Sequence, residues 1–230
     1  MIDRDAWFRE APGLMILNEE KSVLDRIFKT MRGNDLLQVG GSSDTRLISQ
    51  ARVLRSFFVD RYCHGQNIRL FIQADPRCLP VQTESMDIVL LMHTLESSKT
   101  PKAVLDEAYR VLRPNGQLII FGVNRWSLWQ ISRLWMQKKL FSDIKKLHSL
   151  AKIKRLLYEN DFEIVQQQTM CFRPLFKNKT LLHVFLFLEA LGQFFMPYCG
   201  GIYMIHAIKN IPGMTPLVAQ SVRLAQTRTY

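Results

Sequence analysis

Cysteine is scarce in this chain, with four residues among 230. They are Cys63, Cys78, Cys171 and Cys199, and no two of them form a Cys-x-x-Cys pair or lie near a histidine at zinc-finger spacing. This spacing excludes a disulfide-stapled scaffold and a structural zinc site. The sequence therefore predicts free thiols, no bound metal and a reducing, cytoplasmic compartment.

Long apolar runs are missing as well. Residues 1–13 carry charges from the third residue onward and lack the apolar core of a secretory signal. The most apolar stretch, 181–196, is interrupted by His183, Glu189 and Gln193 and stops at Pro197. It falls short of the roughly 20 apolar residues that a membrane-spanning helix needs. The sequence thus predicts neither a secretory signal nor a spanning helix.

Acidic residues are rare in the second half of the chain. Residues 1–120 contain 16 basic and 15 acidic side chains, whereas residues 121–230 contain 15 basic and only 5 acidic ones. The net charge of +11 therefore belongs almost entirely to the second half, where 137–155 is a markedly basic run. Two interpretations remain open for each segment. The basic run 137–155 is a solvated helix face or binds an anionic partner. The stretch 181–196 is a helix packed on the domain, or it contacts a membrane surface or a second copy of the chain.

The chain itself is an alternation of short helical and strand patterns. Helical periodicity predicts helices over 18–31, 45–54, 101–112 and 150–158. Apolar runs bounded by turn residues predict strands beginning at Asp35 and over 56–60, 68–75, 86–92, 117–121, 162–165 and 201–208. Strands this apolar are buried on both faces. The pattern predicts an α/β fold, a doubly wound, mostly parallel seven-stranded sheet with helices on both faces.

Small and polar residues follow several of the predicted strands. Gly40-Gly41 follows the first strand, Asp60 the second, Asp75 the third, and Met92-His93 ends the fourth. Ligands of such sheets bind beyond the carboxyl ends of the strands, and a glycine turn followed by acids suits a nucleoside. Neither Gly-x-Gly-x-x-Gly nor a P-loop is present. The alternative is a tight turn into a helix, with Ser43 or Asp44 as its N-cap.

The segment from Ala74 to Gly116 resembles the class I S-adenosylmethionine-dependent methyltransferases, in the group related to the ubiquinone-biosynthesis C-methyltransferases. The motifs are Ala74–Pro80, Ser85–Val89, Leu95-Glu96 and Glu107–Gly116, in the family's order. The likeness extends over about 12–208. It implies one domain over 1–230, with a cofactor-binding core at 12–122, a basic and apolar elaboration at 123–160 and 170–200 covering the substrate, and a tail at 215–230.

The resemblance implies S-adenosylmethionine as the cofactor. It assigns cofactor contacts to Gln38, Gly40, Gly41, Ser42, Asp60, Asp75, Pro76 and Met92. Asp60 would hold the ribose, and Asp75 with its neighbours would face the adenine. The first motif departs from the family. Gln38 stands where a carboxylate commonly anchors the methionine end of the cofactor, and Ser42 and Asp44 replace later glycines.

Three further residues, His93, Glu107 and Arg110, lie outside that set. Methyl transfer gains most of its rate from alignment, and a base is needed only when the nucleophile must lose a proton. His93, at the end of the fourth strand, is the candidate base, with a structural histidine as the alternative. Glu107 and Arg110 are three residues apart on one helix, which predicts a structural ion pair.

Two functions from different classes follow. The first is a methyltransferase acting on an unidentified, small or lipophilic acceptor in the cytoplasm or at the periphery of the inner membrane. The second is a binding protein that keeps the fold without turnover and docks on an anionic membrane surface or on nucleic acid. Nucleic acid is the weaker partner, because no DNA- or RNA-binding module is legible in the sequence.

Overall fold

A computed structural model describes residues 11–42, 45–62, 70–125, 127, 147–172 and 200–210. The helices are α1 (Ala11–Thr30), α2 (Thr94–Ser97), α3 (Pro101–Val111) and α4 (Leu150–Glu159), with a short 3₁₀ helix at Thr45–Ile48. The strands are β1 (Asp35–Val39), β2 (Arg55–Asp60), β3 (Phe71–Gln73), β4 (Met86–Met92), β5 (Leu112–Val123), β6 (Phe162–Met170) and β7 (Ile202–Lys209).

The seven strands form a single sheet in the order β3-β2-β1-β4-β5-β7-β6. The pairs from β3 to β5 are all parallel, whereas β7 runs antiparallel to both β5 and β6. The mostly parallel seven-stranded sheet expected from the sequence is therefore confirmed. The order reverses between β1 and β4, because the chain first builds outward through β2 and β3 and then returns to the other side of β1.

Buried apolar side chains lie on both faces of the sheet, as the strand composition requires. Leu36 of β1 and Leu90 of β4 belong to one cluster, which also contains the apolar face of α1. Leu37 of β1 and Leu91 of β4 belong to the other, which contains the inner faces of α3 and α4. Because successive strand residues point to opposite faces, one strand contributes to both clusters. The predicted placement of helices on both faces is confirmed.

The segment following β1 departs from the prediction of a helix over 45–54. Regular helical bonding ends after the 3₁₀ helix, where Ser49 Oγ donates to the carbonyl of Arg46 at 2.9 Å. The backbone N–H groups of Leu54 and Arg55 both donate to the carbonyl of Asn34, each at 2.9 Å. These bonds align the chain with the start of β1 and leave no room for a longer helix. The third strand is also shorter than predicted, since β3 covers only Phe71–Gln73.

Residues Pro114–Gly116, which directly precede the strand predicted over 117–121, lie within β5. Leu112 pairs with Met86, but the next pair joins Gln117 to Ile88, so the residues between them loop out of the ladder. Asn115 adopts a positive φ of 59° there. A turn thus leads into the strand predicted from 117, and Leu112, before the turn, also pairs with β4.

Glu107 and Arg110 form the structural pair that their spacing predicts. Arg110 donates from Nε and Nη2 to the two carboxylate oxygens of Glu107, at 2.9 Å each. Its guanidinium also donates to the carbonyls of Leu79 and Val81, again at 2.9 Å. Glu107 accepts from the backbone N–H of Leu79. The pair therefore fastens the loop before β4 to helix α3.

Much of the predicted elaboration lies outside the described residues. This holds for Trp126, for 128–146, for the apolar stretch 181–196 and for the tail 215–230. The described end of the basic run is helix α4, on which Lys152 and Arg155 are exposed. None of the helices in the described ranges is both long and apolar enough to cross a membrane.

Candidate functional site

The carboxyl ends of β1 and β4 meet at the point where the strand order reverses, which is where open α/β sheets bind ligands. Gly40 and Gly41 leave β1 with φ values of 72° and 81°. A Cβ on Gly40 would lie 2.8 Å from Thr94 Oγ1, and one on Gly41 would overlap the side chain of Met92. Only glycine combines this left-handed backbone with so close an approach to β4. The structure thus brings together three of the predicted residues, Gly40, Gly41 and Met92.

Gln38 explains how the altered first motif keeps its shape. Its side chain is buried, and Nε2 donates to the carbonyl of Gly40 at 3.2 Å and to that of Ser42 at 2.9 Å. An ionised carboxylate only accepts hydrogen bonds, so it could not bind these two carbonyls. The amide at this position therefore holds the glycine turn from inside, and Ser42 is one of its partners.

Thr94 joins the two strand ends directly. Its buried hydroxyl lies 2.6 Å from the carbonyl of Val39, to which it donates, and 3.3 Å from that of Met92. The amide of Gly40 in turn donates to the carbonyl of Val59 on β2 at 2.8 Å. Backbone and side-chain bonds together fasten the glycine turn to both neighbouring strands, which makes it a rigid edge for a ligand.

Asp60 ends β2 beside this turn. It is buried, and its Oδ1 accepts from the backbone N–H of Tyr62 at 3.2 Å, which closes a tight turn after the strand. Val59 pairs with Val39 in the sheet, so Asp60 and Gly40 follow paired residues on adjacent parallel strands. The predicted ribose-binding acid and the predicted glycine turn therefore lie side by side.

Asp75 lies one strand further out, and arginines surround its carboxylate. Arg61 Nη2 is 2.8 Å from both carboxylate oxygens, and Arg77 donates from Nη2 at 2.8 Å and from its backbone N–H at 3.0 Å. The hydrogen bonds from Arg77 and then Arg61 hold the pKa of Asp75 well below its usual range, against the opposing effect of burial. Pro76, which follows, is buried. A ligand near Asp75 would meet guanidinium groups as well as a carboxylate.

His93 lies directly after β4, between two glutamates. Its Nε2 is 2.7 Å from Glu20 Oε1 on α1, and its Nδ1 is 3.8 Å from Glu96 Oε1 on α2. Burial lowers the pKa of His93, but the carboxylates of Glu20 and Glu96 more than offset that and raise it to about 10. At neutral pH the ring is an imidazolium with no free lone pair. A role for His93 as a base stays a prediction, and this arrangement favours a proton donor.

The backbone at His93 is unusual for a side chain with a Cβ. Its φ and ψ of 52° and 27° are left-handed, and its N–H donates to the carbonyl of Phe121 on β5 at 2.9 Å. Strain of this kind persists where the surroundings hold a residue in place, and it is common at functional sites. The left-handed turn directs the imidazole toward Glu20 instead of along the strand.

Glu96 is buried against β5 and β7. Its Oε1 accepts a short hydrogen bond from the backbone N–H of Val123. Tyr203 of β7 packs over Gly122, and both burial and the charge of Glu96 raise the pKa of its hydroxyl. The second carboxylate oxygen of Glu96, like that of Glu20, is buried without a hydrogen-bond partner in the described structure. The two carboxylates thus have unused acceptor capacity.

We refer to Glu20, His93 and Glu96 as the β4-end cluster. The sequence analysis identified only His93. A signal for Glu20 was available, because it lies between Ile16 and Leu24 on the buried face of α1, where a carboxylate is out of place. Glu96 belongs to the Leu95-Glu96 motif of the resemblance but had no assigned role, and no signal pointed to Thr94. Within the described ranges, no group of three histidine, cysteine or acidic side chains has the arrangement of a metal site.

Comparisons with known proteins bear on this geometry. Residues 52–120 match the family model described as methyltransferase domain. The structure also resembles a chain of the complex between the Trm112 methyltransferase activator of Haloferax volcanii and a methyltransferase, with a TM-score of 0.65 and 16% identity. That match covers 92% of this chain and all of the other. Residues 52–120 are thus similar to a methyltransferase domain, and the sheet has the same fold as the matched chain.

One sequence match and one further structural match were also found. The uncharacterized protein YafS of Escherichia coli (strain K12) is 32% identical over 130 residues, which are 56% of this chain. The aligned residues make up 52% of YafS, so this chain spans about half the length of that relative. Phosphoethanolamine N-methyltransferase 2 of Haemonchus contortus matches with a TM-score of 0.56 and 16% identity, over 84% of this chain and 53% of that one.

Proposed function

We propose that this protein transfers a methyl group from S-adenosylmethionine to a small, lipophilic acceptor. The observation that carries the proposal is the rigid glycine turn of Gly40-Gly41 beside the buried carboxylate of Asp60, at the strand-order reversal of a methyltransferase sheet. The structural relative from Haemonchus contortus is described in complex with S-adenosylhomocysteine, which supports a nucleoside ligand of this kind for the fold.

The residues at the sheet edge fit that cofactor. Asp60 can accept hydrogen bonds from both ribose hydroxyls, since a carboxylate has several acceptor positions. The backbone of Gly40 and Gly41 brings no side chain to the edge of β1, so a ligand can approach it closely. Pro76 and the Asp75 region would lie against the adenine ring.

When bound, S-adenosylmethionine would supply a methyl group on a positively charged sulfur: the acceptor's lone pair would bond to the methyl carbon while the carbon–sulfur bond breaks and its electron pair stays on sulfur. The chain's own contribution is position and charge. A fixed sheet edge aligns the acceptor, and alignment of this kind contributes roughly 7–11 kcal/mol to a barrier reduction. The β4-end cluster adds net negative charge at the end of β4, where a cationic ligand is stabilised.

The acceptor is proposed to be small and lipophilic because the second half of the chain is apolar and rich in tryptophan around 126–135. Those residues lie outside the described structure, and so do most of the basic ones. Contact with an anionic membrane surface, and a place at the periphery of the inner membrane, therefore remain expectations from sequence.

Calorimetry with S-adenosylmethionine and S-adenosylhomocysteine tests the proposal. Wild-type protein should bind both, and Asp60→Ala should weaken binding about 10- to 100-fold, because hydrogen bonds to a charged group contribute about 1.5–3 kcal/mol. Asp106→Ala is the matched control, since Asp106 is an exposed acid on α3 paired with Lys102. Absence of binding to either ligand at high micromolar concentration would refute the proposal.

A further inference from the structure

The β4-end cluster contains more acidic than basic groups. Glu20 and Glu96 are each at most 1% exposed, and His93 is the one basic group within 4 Å of them among the described residues. Two buried carboxyl groups therefore face a single imidazole ring. Buried charges are normally paired, because leaving one unpaired is costly in free energy. The cluster therefore has one acidic group more than its basic ring can pair with.

The same cluster lacks hydrogen-bond donors. The Oε2 atoms of Glu20 and Glu96 are buried and unpartnered in the described structure, whereas their Oε1 atoms contact His93 and, for Glu96, the N–H of Val123. Most buried polar atoms in proteins have a partner. Two buried carboxylates with the same omission, on either side of one ring, indicate that a donor is still to be added.

The position of the cluster connects it to the cofactor edge. His93 follows Met92, against which the Gly40-Gly41 turn packs, and Thr94 bonds to the end of β1. Glu20 comes from α1, so the cluster joins the helix that covers one face to the edge where the ligand is proposed to lie. The additional carboxyl group and the unpartnered carboxylate oxygens therefore lie next to the proposed cofactor site.

A protonated amine meets both requirements at once. It carries a positive charge, which can pair with the additional carboxyl group, and up to three N–H donors, which can bind an unpartnered carboxylate oxygen. An anionic ligand would add to the negative charge. The described residues also hold no metal-type group of three ligands.

We propose that Glu20, His93 and Glu96 form a binding site for a protonated amine at the end of β4. This inference rests on the proposed function, because the amine has two sources there. It is the α-ammonium group of S-adenosylmethionine or an amino group of the acceptor. His93 acts as a positioning residue that holds the two carboxylates apart and oriented, while the unpartnered Oε2 atoms of Glu20 and Glu96 bind the ammonium.

The cofactor arm of the test compares two nucleosides by calorimetry. S-adenosylhomocysteine has an α-ammonium group, and 5′-methylthioadenosine has the same adenosine and thioether without the amino acid. If the cluster binds the cofactor's ammonium, Glu20→Gln or Glu96→Gln should weaken S-adenosylhomocysteine binding about 10- to 100-fold. Binding of 5′-methylthioadenosine should stay within about 2-fold, which also shows that the variant is folded.

The acceptor arm uses methylammonium chloride, because the methylammonium cation is so small that its binding depends on its charge and N–H donors and not on a fit of shape. If the cluster binds the acceptor's amino group, S-adenosylhomocysteine binds all variants equally. Methylammonium at about 100 mM should then raise the melting temperature of the wild-type complex above that in equimolar sodium chloride, because a ligand of the native state stabilises it. Glu20→Gln or Glu96→Gln should abolish that difference.

Glu19→Gln is the matched control, since it makes the same charge change on the same helix at a half-buried position outside the cluster. It should behave as wild type in both arms. If neither cluster variant changes S-adenosylhomocysteine affinity and methylammonium acts no differently from sodium, the amine site is refuted. If wild-type protein binds neither nucleoside, the proposed function fails instead, and the same methylammonium comparison on the free protein then tests the cluster.

Discussion

The imidazole of His93 and the carboxylate of Glu20 are 2.7 Å apart, although 73 residues separate them in the chain. This contact joins the end of β4 to helix α1. It also changes the chemistry available to His93, because a ring held between carboxylates keeps its proton.

The first prediction concerns the proton on His93. Because Glu20 and Glu96 together raise its pKa to about 10, both ring nitrogens should remain protonated at pH 8. Nitrogen-15 NMR of the imidazole groups measures this directly. Glu20→Gln should bring the titration down toward the ordinary value near 6.5. His206 serves as the internal control, since burial lowers its pKa and it should be neutral at pH 8. A neutral His93 at pH 8 would contradict the prediction.

The second prediction concerns stability against pH. A histidine whose pKa is higher in the folded state stabilises the protein fully below its unfolded pKa, near 6.5, and loses that contribution as pH rises toward 10. The stability difference between wild type and His93→Gln should therefore shrink steadily between pH 6.5 and 9.5. Urea unfolding at several pH values measures it. Glu20, Glu96 and Tyr203 are the titratable groups that face His93 from the neighbouring elements. A difference that grows with pH would contradict the assignment.

The third prediction concerns Gly41. Alanine at this position must adopt a φ of 81°, and its Cβ would overlap the side chain of Met92. Backbone strain alone costs about 1–3 kcal/mol, so Gly41→Ala should lower the free energy of unfolding by at least that amount. The displaced turn should also weaken binding of S-adenosylhomocysteine. Denaturant unfolding and calorimetry provide the two measurements, and unchanged stability would show that the turn tolerates a side chain.

The fourth prediction separates a clamping arginine from a surface one. Arg110 bonds both oxygens of Glu107 and the carbonyls of Leu79 and Val81, and lysine cannot reproduce that planar fork. Arg110→Lys should destabilise the protein by about 1–3 kcal/mol. The control is Arg155→Lys, because Arg155 is exposed and pairs with Glu159 four residues away on the same helix. Its effect should stay within about 0.5 kcal/mol. If urea unfolding gives equal changes in the free energy of unfolding for the two substitutions, Arg110 does not act as a clamp.

Local patterns in the sequence predicted most of the fold correctly. The apolar runs of β4 and β7 and the amphipathic pattern of α3 depend on neighbours within a few residues, so the sequence contains their signal. The helix over 45–54 failed because the carbonyl of Asn34, twenty residues upstream of Leu54, takes the backbone bonds that a helix would use. Such a bond has no local signature.

The candidate site divides in the same way. The positions of Gly40, Gly41, Asp60 and Asp75 at strand ends were legible, because carboxyl ends of parallel strands share one edge of the sheet. The partners of those residues were not. That Arg61 and Arg77 surround Asp75, and that Gln38 binds the carbonyls of its own turn, depend on side-chain directions that spacing does not specify.

The sequence by itself determined the fold class, the strand ends where a ligand can bind and the excess of positive charge in the second half. Only the tertiary structure decided what His93 is. Its ionisation depends on Glu20 and Glu96, which reach it from two different helices, and a pKa follows the charges within a few ångströms regardless of their separation along the chain. The same packing left two carboxylate oxygens without donors, and that omission is visible only in three dimensions.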